Sequence, residues 1–135
     1  MKGEEGSISD RELVDEIKTF VIAGSETTAN FLTAMILYVF EKPQVAEKLR
    51  KEIDSVIKSN SDITFENIKK MNFLEAVVNE TERTYSSAVG IAERKLTEDT
   101  TLCGVPLKKG LFLSAIWIAM MHNPAIFKDP FDFNP

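Results

Sequence analysis

Apolar residues recur at helical spacing near the start of the chain: Leu13, Ile17, Phe20 and Val21. Ser9 lies just before them and Glu12 follows it three residues later, which is the capping-box pattern of a helix start. We therefore predict one helix over 9–41 that ends before Pro43. It is apolar nearly all round from residue 31 to residue 40, so we interpret it as a long buried helix that needs neighbours on every side, more than 135 residues comfortably supply.

Residues 43–85 show the spacing of further helices. Pro43 suits the first turn of a helix whose apolar face carries Val45 and Leu49. Charged residues, Glu52 among them, form the opposite face, which we expect to be exposed to solvent. Residues 59–62 are typical of a loop, residues 65–71 predict a short helix, and residues 73–85 predict a third full helix.

The pattern changes after residue 87. Short strand-like runs at 92–96, 100–103 and 111–113 are separated by glycine and proline, which predicts a small β-sheet over 92–114. Residues 115–135 predict a helix followed by turns. The expected fold class is thus mainly α with a small β-sheet, in a single domain over 1–135 that begins with a linker at 1–8.

Composition removes several classes of function. The chain has 135 residues, with 16 basic and 21 acidic side chains and a formal charge of −5. Because no face dense in Lys and Arg is present to neutralise phosphates, we expect no nucleic-acid partner. The single cysteine, Cys103, excludes an internal disulfide and leaves no Cys/His cluster for zinc.

Residues 20–40 are long enough to cross a bilayer, which requires about 20 apolar residues. Glu26 argues against a membrane span, because a charge near the middle costs about 2.5–3.5 kcal/mol on insertion scales. The first seven residues are polar and lack the apolar segment of a signal peptide. A buried helix with a polar notch is the interpretation we favour.

The notch itself, Ala-Gly-Ser-Glu-Thr-Thr at 23–28, is the most informative stretch. A glycine inside a helix costs about 1 kcal/mol relative to alanine, so its presence here predicts a compensating function. With only a methyl at Ala23 and no side chain at Gly24, a flat ligand can lie close to the backbone. Thr27 lies four residues after Ala23, so its hydroxyl can bond the Ala23 carbonyl and open the helix. The alternative is a kinked buried helix that carries these residues for packing.

The notch resembles the oxygen-activation motif of the cytochrome P450 family: alanine or glycine, glycine, any residue, acid, threonine, then threonine or serine. In that family the motif lies on the longest helix, which crosses the distal face of the haem. The resemblance implies that Ala23 and Gly24 bind the haem face. It also implies that Thr27 hydrogen-bonds the oxygen under activation and that Glu26 relays protons from solvent.

Two later segments extend the resemblance. Glu80 and Arg83, three residues apart on a helix, resemble the family's Glu-x-x-Arg pair, which implies a structural ion pair behind the haem. Arg94 resembles the strand arginine that binds a haem propionate. Ala88 and Val89, which lie between them, match a region that lines the substrate pocket. By spacing alone, an exposed ion pair and a water-exposed arginine are equally good interpretations.

The end of the chain carries weaker signals. Residues 102–110 resemble a family hairpin, and residues 121–124, 127–130 and 133–135 match its His-Arg-Asp-Pro, Asp-Pro and Phe-x-Pro segments. Ser86 and Ser87 depart from the family, whose members often have proline there. The family's Glu-Arg-Phe segment and its cysteine loop would follow Pro135, so we expect no metal ligand in these residues. We interpret Cys103 as a hairpin thiol and His122 as a structural histidine.

The resemblance implies a haem-dependent monooxygenase that inserts one atom of O2 into a small apolar organic substrate. Its electrons would come from NAD(P)H through a reductase, and its eukaryotic relatives imply the endoplasmic reticulum membrane. We expect the 135 residues alone to be inactive, as a fragment without the cysteine loop. Two alternatives stay open: a helical interaction module without a cofactor, and a single membrane span.

Overall fold

The computed structural model describes residues 8–87 and 93–135. In chain order its elements are α1 (Asp10–Glu41), α2 (Pro43–Val56), α3 (Phe65–Ile68), α4 (Asn72–Thr84), β1 (Glu93–Lys95), β2 (Thr100–Leu102), β3 (Val105–Leu107), β4 (Phe112–Ser114) and α5 (Trp117–Met121). A single 3-10 turn, Asn60–Asp62, lies in the predicted loop. The mainly helical class with small antiparallel strands is confirmed.

The start of α1 is fixed by the predicted capping box. The Glu12 amide donates to the Ser9 hydroxyl at 3.3 Å, and the Ser9 amide donates to the Glu12 carboxylate at 2.9 Å. Together they satisfy two of the backbone donors at this end of the helix. The helix then runs for 32 residues to Glu41, and Pro43 opens α2 directly afterwards.

None of the residues of α1 is buried. Among the described elements α2 and α4 pack on it most, and with Phe133 they cover part of its C-terminal half, so Phe20 is 74% exposed and Phe40 is 81% exposed. Within the described residues α1 therefore lacks the neighbours on every side that such a helix needs, as expected of a rod that requires more neighbours than 135 residues supply. An apolar rod of this length has more surface than two shorter helices can cover. By length and composition alone, α1 would also be able to cross a membrane.

The hydrophobic core lies where α1, α2 and α4 meet the last residues of the chain. Val45, Val77 and Phe133 are buried there, with Met35, Tyr38, Val39 and Phe73 packed around them. The rings of Tyr38 and Phe133 stack with centroids 4.7 Å apart and planes 8° from parallel. Lys42 and Asp132 form an ion pair beside the stack. Residues from both ends of the sequence thus close one core.

Glu52 joins α2 to α4, although its sequence position predicts a solvent-exposed side chain. Its two carboxylate oxygens accept hydrogen bonds from the Phe73 and Leu74 amides, both at 2.8 Å. Met71, at the N-cap of α4, provides no side-chain cap. Glu52 therefore caps α4 from a neighbouring helix, and the expectation that it faces solvent is wrong because two otherwise unpaired amides lie opposite it.

The strands form two antiparallel pairs, β1 with β4 and β2 with β3, where the sequence predicted one small sheet. The β2–β3 hairpin lies between β1 and β4 in the chain. Its two-residue turn consists of Cys103 and Gly104, with φ angles of 50° and 80°. Two successive positive φ angles are what a type I′ turn requires. The pattern analysis did not predict β3, in which Pro106 interrupts the apolar run.

Candidate functional site

The notch lies on one exposed turn of α1. The Thr27 hydroxyl donates to the Ala23 carbonyl at 2.7 Å, so the predicted contact is present. A methyl group built at Gly24 would have no heavy atom within 4 Å beyond its own helix and chain neighbours. Glu26 is exposed and has no hydrogen-bond or ion-pair partner among the described residues. The turn thus presents an open backbone face beside an alcohol and a free carboxylate.

The hydroxyl contact of Thr27 is repeated along α1, so it does not by itself mark a site. Thr19 donates to the Asp15 carbonyl at 2.9 Å, and Thr33 donates to the Ala29 carbonyl at 2.8 Å. Each is the ordinary bond of a helical hydroxyl to the carbonyl four residues earlier. What distinguishes Thr27 is a second contact, since its own carbonyl accepts a hydrogen bond from the Ser87 hydroxyl at 3.0 Å.

A cleft of about 340 Å³ opens beside Thr27. Its walls come from α1, from the end of α4 with the residues that follow it, and from α5. The lining residues are Thr27, Thr28, Phe31, Glu82, Ser86, Ser87, Trp117 and Met121. The cleft therefore combines aromatic and aliphatic surface with hydroxyl groups, the mixture that is common in small-molecule sites.

Glu80 and Arg83 form a two-point ion pair on α4. Arg83 Nε lies 2.7 Å from Glu80 Oε2, and Arg83 Nη2 lies 2.8 Å from Glu80 Oε1. The Arg83 side chain is only 9% exposed and the Glu80 side chain is 13% exposed, so the pair is largely buried. The interpretation of an exposed surface pair does not hold here.

The remaining donors of Arg83 bind main-chain carbonyls far along the chain. Nη1 donates to Met121 at 3.1 Å and to Pro130 at 2.6 Å, and Nη2 donates to Asp132 at 2.9 Å. A guanidinium can satisfy several acceptors at once because its donors form a rigid fork. Arg83 thus fastens α4 to the end of α5 and to the C-terminal residues.

These contacts set the charge of both partners. Burial acts to raise the pKa of the Glu80 carboxyl, but hydrogen bonds from Arg83 and from the Asn134 amide outweigh it and leave the pKa below its ordinary value. The hydrogen bond to Glu80 raises the pKa of Arg83. The pair is therefore fully ionised at neutral pH.

Arg94 lies in β1, opposite Leu113 of β4, and its side chain is exposed. Within the described part of the chain its guanidinium bonds only the neighbouring Glu93 carbonyl, at 3.0 Å, and has no acidic partner. Such a group is available to a carboxylate ligand. No contact joins Arg94 to the notch among the described residues, and Ala88 and Val89 lie outside those residues.

Cys103 and His122 are the two residues most easily mistaken for metal ligands. Cys103 is an exposed free thiol in the β2–β3 turn. His122 Nδ1 lies 3.0 Å from the Ile118 carbonyl, and its ring lies 5.1 Å from that of Phe131. Across residues 8–87 and 93–135, no three His, Cys, Asp or Glu side chains are grouped to bind a metal.

The residues present are chemically compatible with a haem. The open face at Gly24 would admit a flat group against the backbone, and the guanidinium of Arg94, which has no acidic partner among the described residues, would suit a propionate.

The sequence motifs were enough to predict Gly24 and Arg94 as candidate site residues. Glu52 and Ser87 were not predicted, because their partners lie more than 20 residues away and a single sequence carries no signal of such contacts.

Comparison with known proteins agrees with this architecture. The Cytochrome P450 family matches residues 1–135. Human cytochrome P450 3A5 is 33% identical over 129 residues, which are 96% of this chain and 26% of the relative. Rat cytochrome P450 4V2 is 34% identical over 134 residues, which are 98% of this chain and 25% of the relative. This chain belongs to the cytochrome P450 family.

Solved structures show the same fold. A zebrafish cytochrome P450 solved with progesterone aligns with a TM-score of 0.84 at 24% identity, covering 99% of this chain and 32% of that structure. A cyanobacterial cytochrome P450 with bound retinoic acid aligns with a TM-score of 0.85 at 29% identity, covering 95% of this chain and 29% of that structure. The chain spans about a quarter of the length of the curated relatives it matches.

Proposed function

We propose that this chain forms the oxygen-activation part of a haem-thiolate monooxygenase, which inserts one atom of O2 into a small apolar organic substrate. The observation that supports this most strongly is the family match over residues 1–135, within which the notch, the Glu80–Arg83 pair and Arg94 keep the family's order. Electrons would come from NAD(P)H through a reductase. By resemblance to the family's eukaryotic members, such an enzyme would lie at the endoplasmic reticulum membrane.

Haem, when bound, would supply the one-electron and O2 chemistry that no side chain of this protein provides. Ala23 and Gly24 would lie against its face, since neither residue carries bulk there. Arg94 would bind a propionate through the donors that have no acidic partner. Ala88 and Val89 are proposed to line the substrate pocket, and the Glu80–Arg83 pair to fix the helix behind the haem.

Glu26 and Thr27 would divide the proton chemistry between them. The exposed carboxylate of Glu26 can take a proton from solvent and pass it inward. Thr27 has one hydroxyl proton, which it donates to the Ala23 carbonyl, so its oxygen is left as an acceptor. To donate towards the open face at Gly24, the hydroxyl must leave the Ala23 carbonyl. After this exchange of partners, the Thr27 oxygen could accept a proton relayed from Glu26 while the hydroxyl donates its own proton towards the open face at Gly24.

The proposal is tested by reading the native transcript beyond codon 135 and expressing the full product that contains this chain. We expect a cysteine-containing haem loop, and a thiolate-type Soret band in the reduced CO complex of the product. A stop codon directly after Pro135 would exclude catalysis by this product. An imidazole-type band, or a product that takes up no haem, would also overturn the proposal.

In that product, Thr27→Ala should uncouple O2 consumption from product formation. We expect at least a tenfold fall in product formed per O2 consumed, because a positioned proton donor contributes about 100- to 10,000-fold. Thr33→Ala is the matched control, since it removes the same kind of helical hydroxyl contact six residues further along α1. Equal product yields from the two variants would remove the assigned role of Thr27.

A further inference from the structure

Ser87 makes a long-range side-chain contact with the notch. It follows α4, which ends at Thr84, and its hydroxyl donates to the Thr27 carbonyl at 3.0 Å across 60 residues of sequence. Both residues line the cleft of about 340 Å³ described above. The bond therefore crosses from one wall of the cleft to the other.

The Thr27 carbonyl can take this bond without losing its place in the helix. A carbonyl oxygen has two lone pairs, one for the amide four residues later and one for a donor at the side. The Thr27 hydroxyl is meanwhile bonded to the Ala23 carbonyl at 2.7 Å. Thr27 thus takes part in two contacts: its main-chain carbonyl accepts from the Ser87 hydroxyl, and its own hydroxyl donates to the Ala23 carbonyl on the turn where Gly24 is open. The two bonds share a residue but no atom.

From these two contacts we infer that Ser87 is a positioning residue for Thr27. The Ser87 hydroxyl fixes the segment after α4 at one distance from α1, and so fixes the width of the cleft and the Thr27 turn. The effect of Ser87 on catalysis rests on the proposed function. The Ser87–Thr27 contact does not, because it is present in the chain without haem. Ser87 touches no reacting group and acts through the main chain of Thr27.

The chain contains its own reporter of this cleft. Trp117 is the only tryptophan, lines the same cleft and is 41% exposed. Its quenching by acrylamide therefore measures how far the cleft walls are separated. We expect Ser87→Ala to raise the quenching constant to about twice that of the parent chain, as local opening exposes the indole. Ser87→Thr keeps a hydroxyl at the same position and should match the parent chain.

Ser55→Ala is the matched control, because Ser55 donates to the Glu52 carbonyl on α2 and does not line the cleft. Its quenching should not differ from that of the parent chain. Far-UV circular dichroism of each variant separates local opening from loss of fold. If Ser87→Ala loses its helical signal, the inference is judged from the quenching constant of Ser87→Thr, which should match that of the parent chain.

Two results would overturn the inference. One is a Ser87→Ala chain that is quenched like the parent chain, which would mean that the bond fixes nothing. The other is a Ser87→Thr chain whose quenching rises as far as that of the alanine variant, which would mean that the hydroxyl is irrelevant. Neither measurement needs haem, so failure of the thiolate Soret band would refute the proposed function and leave this inference standing.

Discussion

The notch on α1 and the Arg83 network on α4 carry the same resemblance to the family, yet their surroundings in this chain are opposite. Arg83 is 8% exposed and bonds one carboxylate and three main-chain carbonyls. The notch is exposed on every residue, and Glu26 has no partner among the described residues. Arg83 and Glu80 thus find hydrogen-bond partners among the described residues, whereas the residues proposed for chemistry face open space. No residue of α1 is buried among the described residues, so exposure alone does not distinguish the notch from the rest of the helix.

The largest expected effect follows from breaking the network at its centre. Arg83→Ala should lower the free energy of unfolding by about 3–5 kcal/mol, because it removes the cationic partner of the largely buried Glu80 carboxylate and the donor to three main-chain carbonyls. Urea unfolding followed by circular dichroism measures the change. Lys51→Ala removes an exposed ion pair with Glu47 and should cost less than about 1 kcal/mol. Similar losses in the two variants would mean that the network contributes no special stability.

A smaller loss is expected at the other end of α4. Glu52→Ala should cost about 1–3 kcal/mol, since the Phe73 and Leu74 amides lose their only described acceptors. Hydrogen exchange at these two amides should quicken, while exchange in the last turn of α4, around Arg83, should change little. Glu47→Ala, on the exposed face of the same helix, is the control. Unchanged exchange at Phe73 and Leu74 would contradict the capping role.

The pH dependence sharpens the comparison further. Because the folded pKa of Glu80 lies below its ordinary value of 4.5, the unfolded chain binds its proton first as the pH falls. The stability from this group is present above the ordinary pKa and is lost as the pH falls through the folded pKa. The free energy of unfolding should thus decline on acidification, and Glu80→Gln should flatten that decline. A variant with the same slope as the parent chain would show that Glu80 does not contribute.

The sequence could predict the parts of this structure that depend on neighbours in the chain. The capping box at Ser9, the break at Pro43 and the positions of the major helices follow from spacing and local chemistry. The carbonyl partners of Arg83 lie 38 to 49 residues away, and no pattern in the sequence identifies a main-chain acceptor at that distance. The residues that would cover α1 could not be predicted for a related reason, because periodicity shows which face is apolar but not what covers it.

The smallest expected effect is the one that tests the notch as a place of chemistry. Thr27→Ala and Thr33→Ala each remove an exposed hydroxyl that bonds the carbonyl four residues earlier, so each should change the free energy of unfolding by less than about 0.5 kcal/mol. Urea midpoints of the two variants should agree with each other and with the parent chain. A clearly larger loss for Thr27→Ala would make the notch a stabilising element of α1, and the contrast with the Arg83 network would disappear. If both variants lose equally little stability, a difference between them in product formed per O2 in the haem-containing product must come from the chemistry of Thr27.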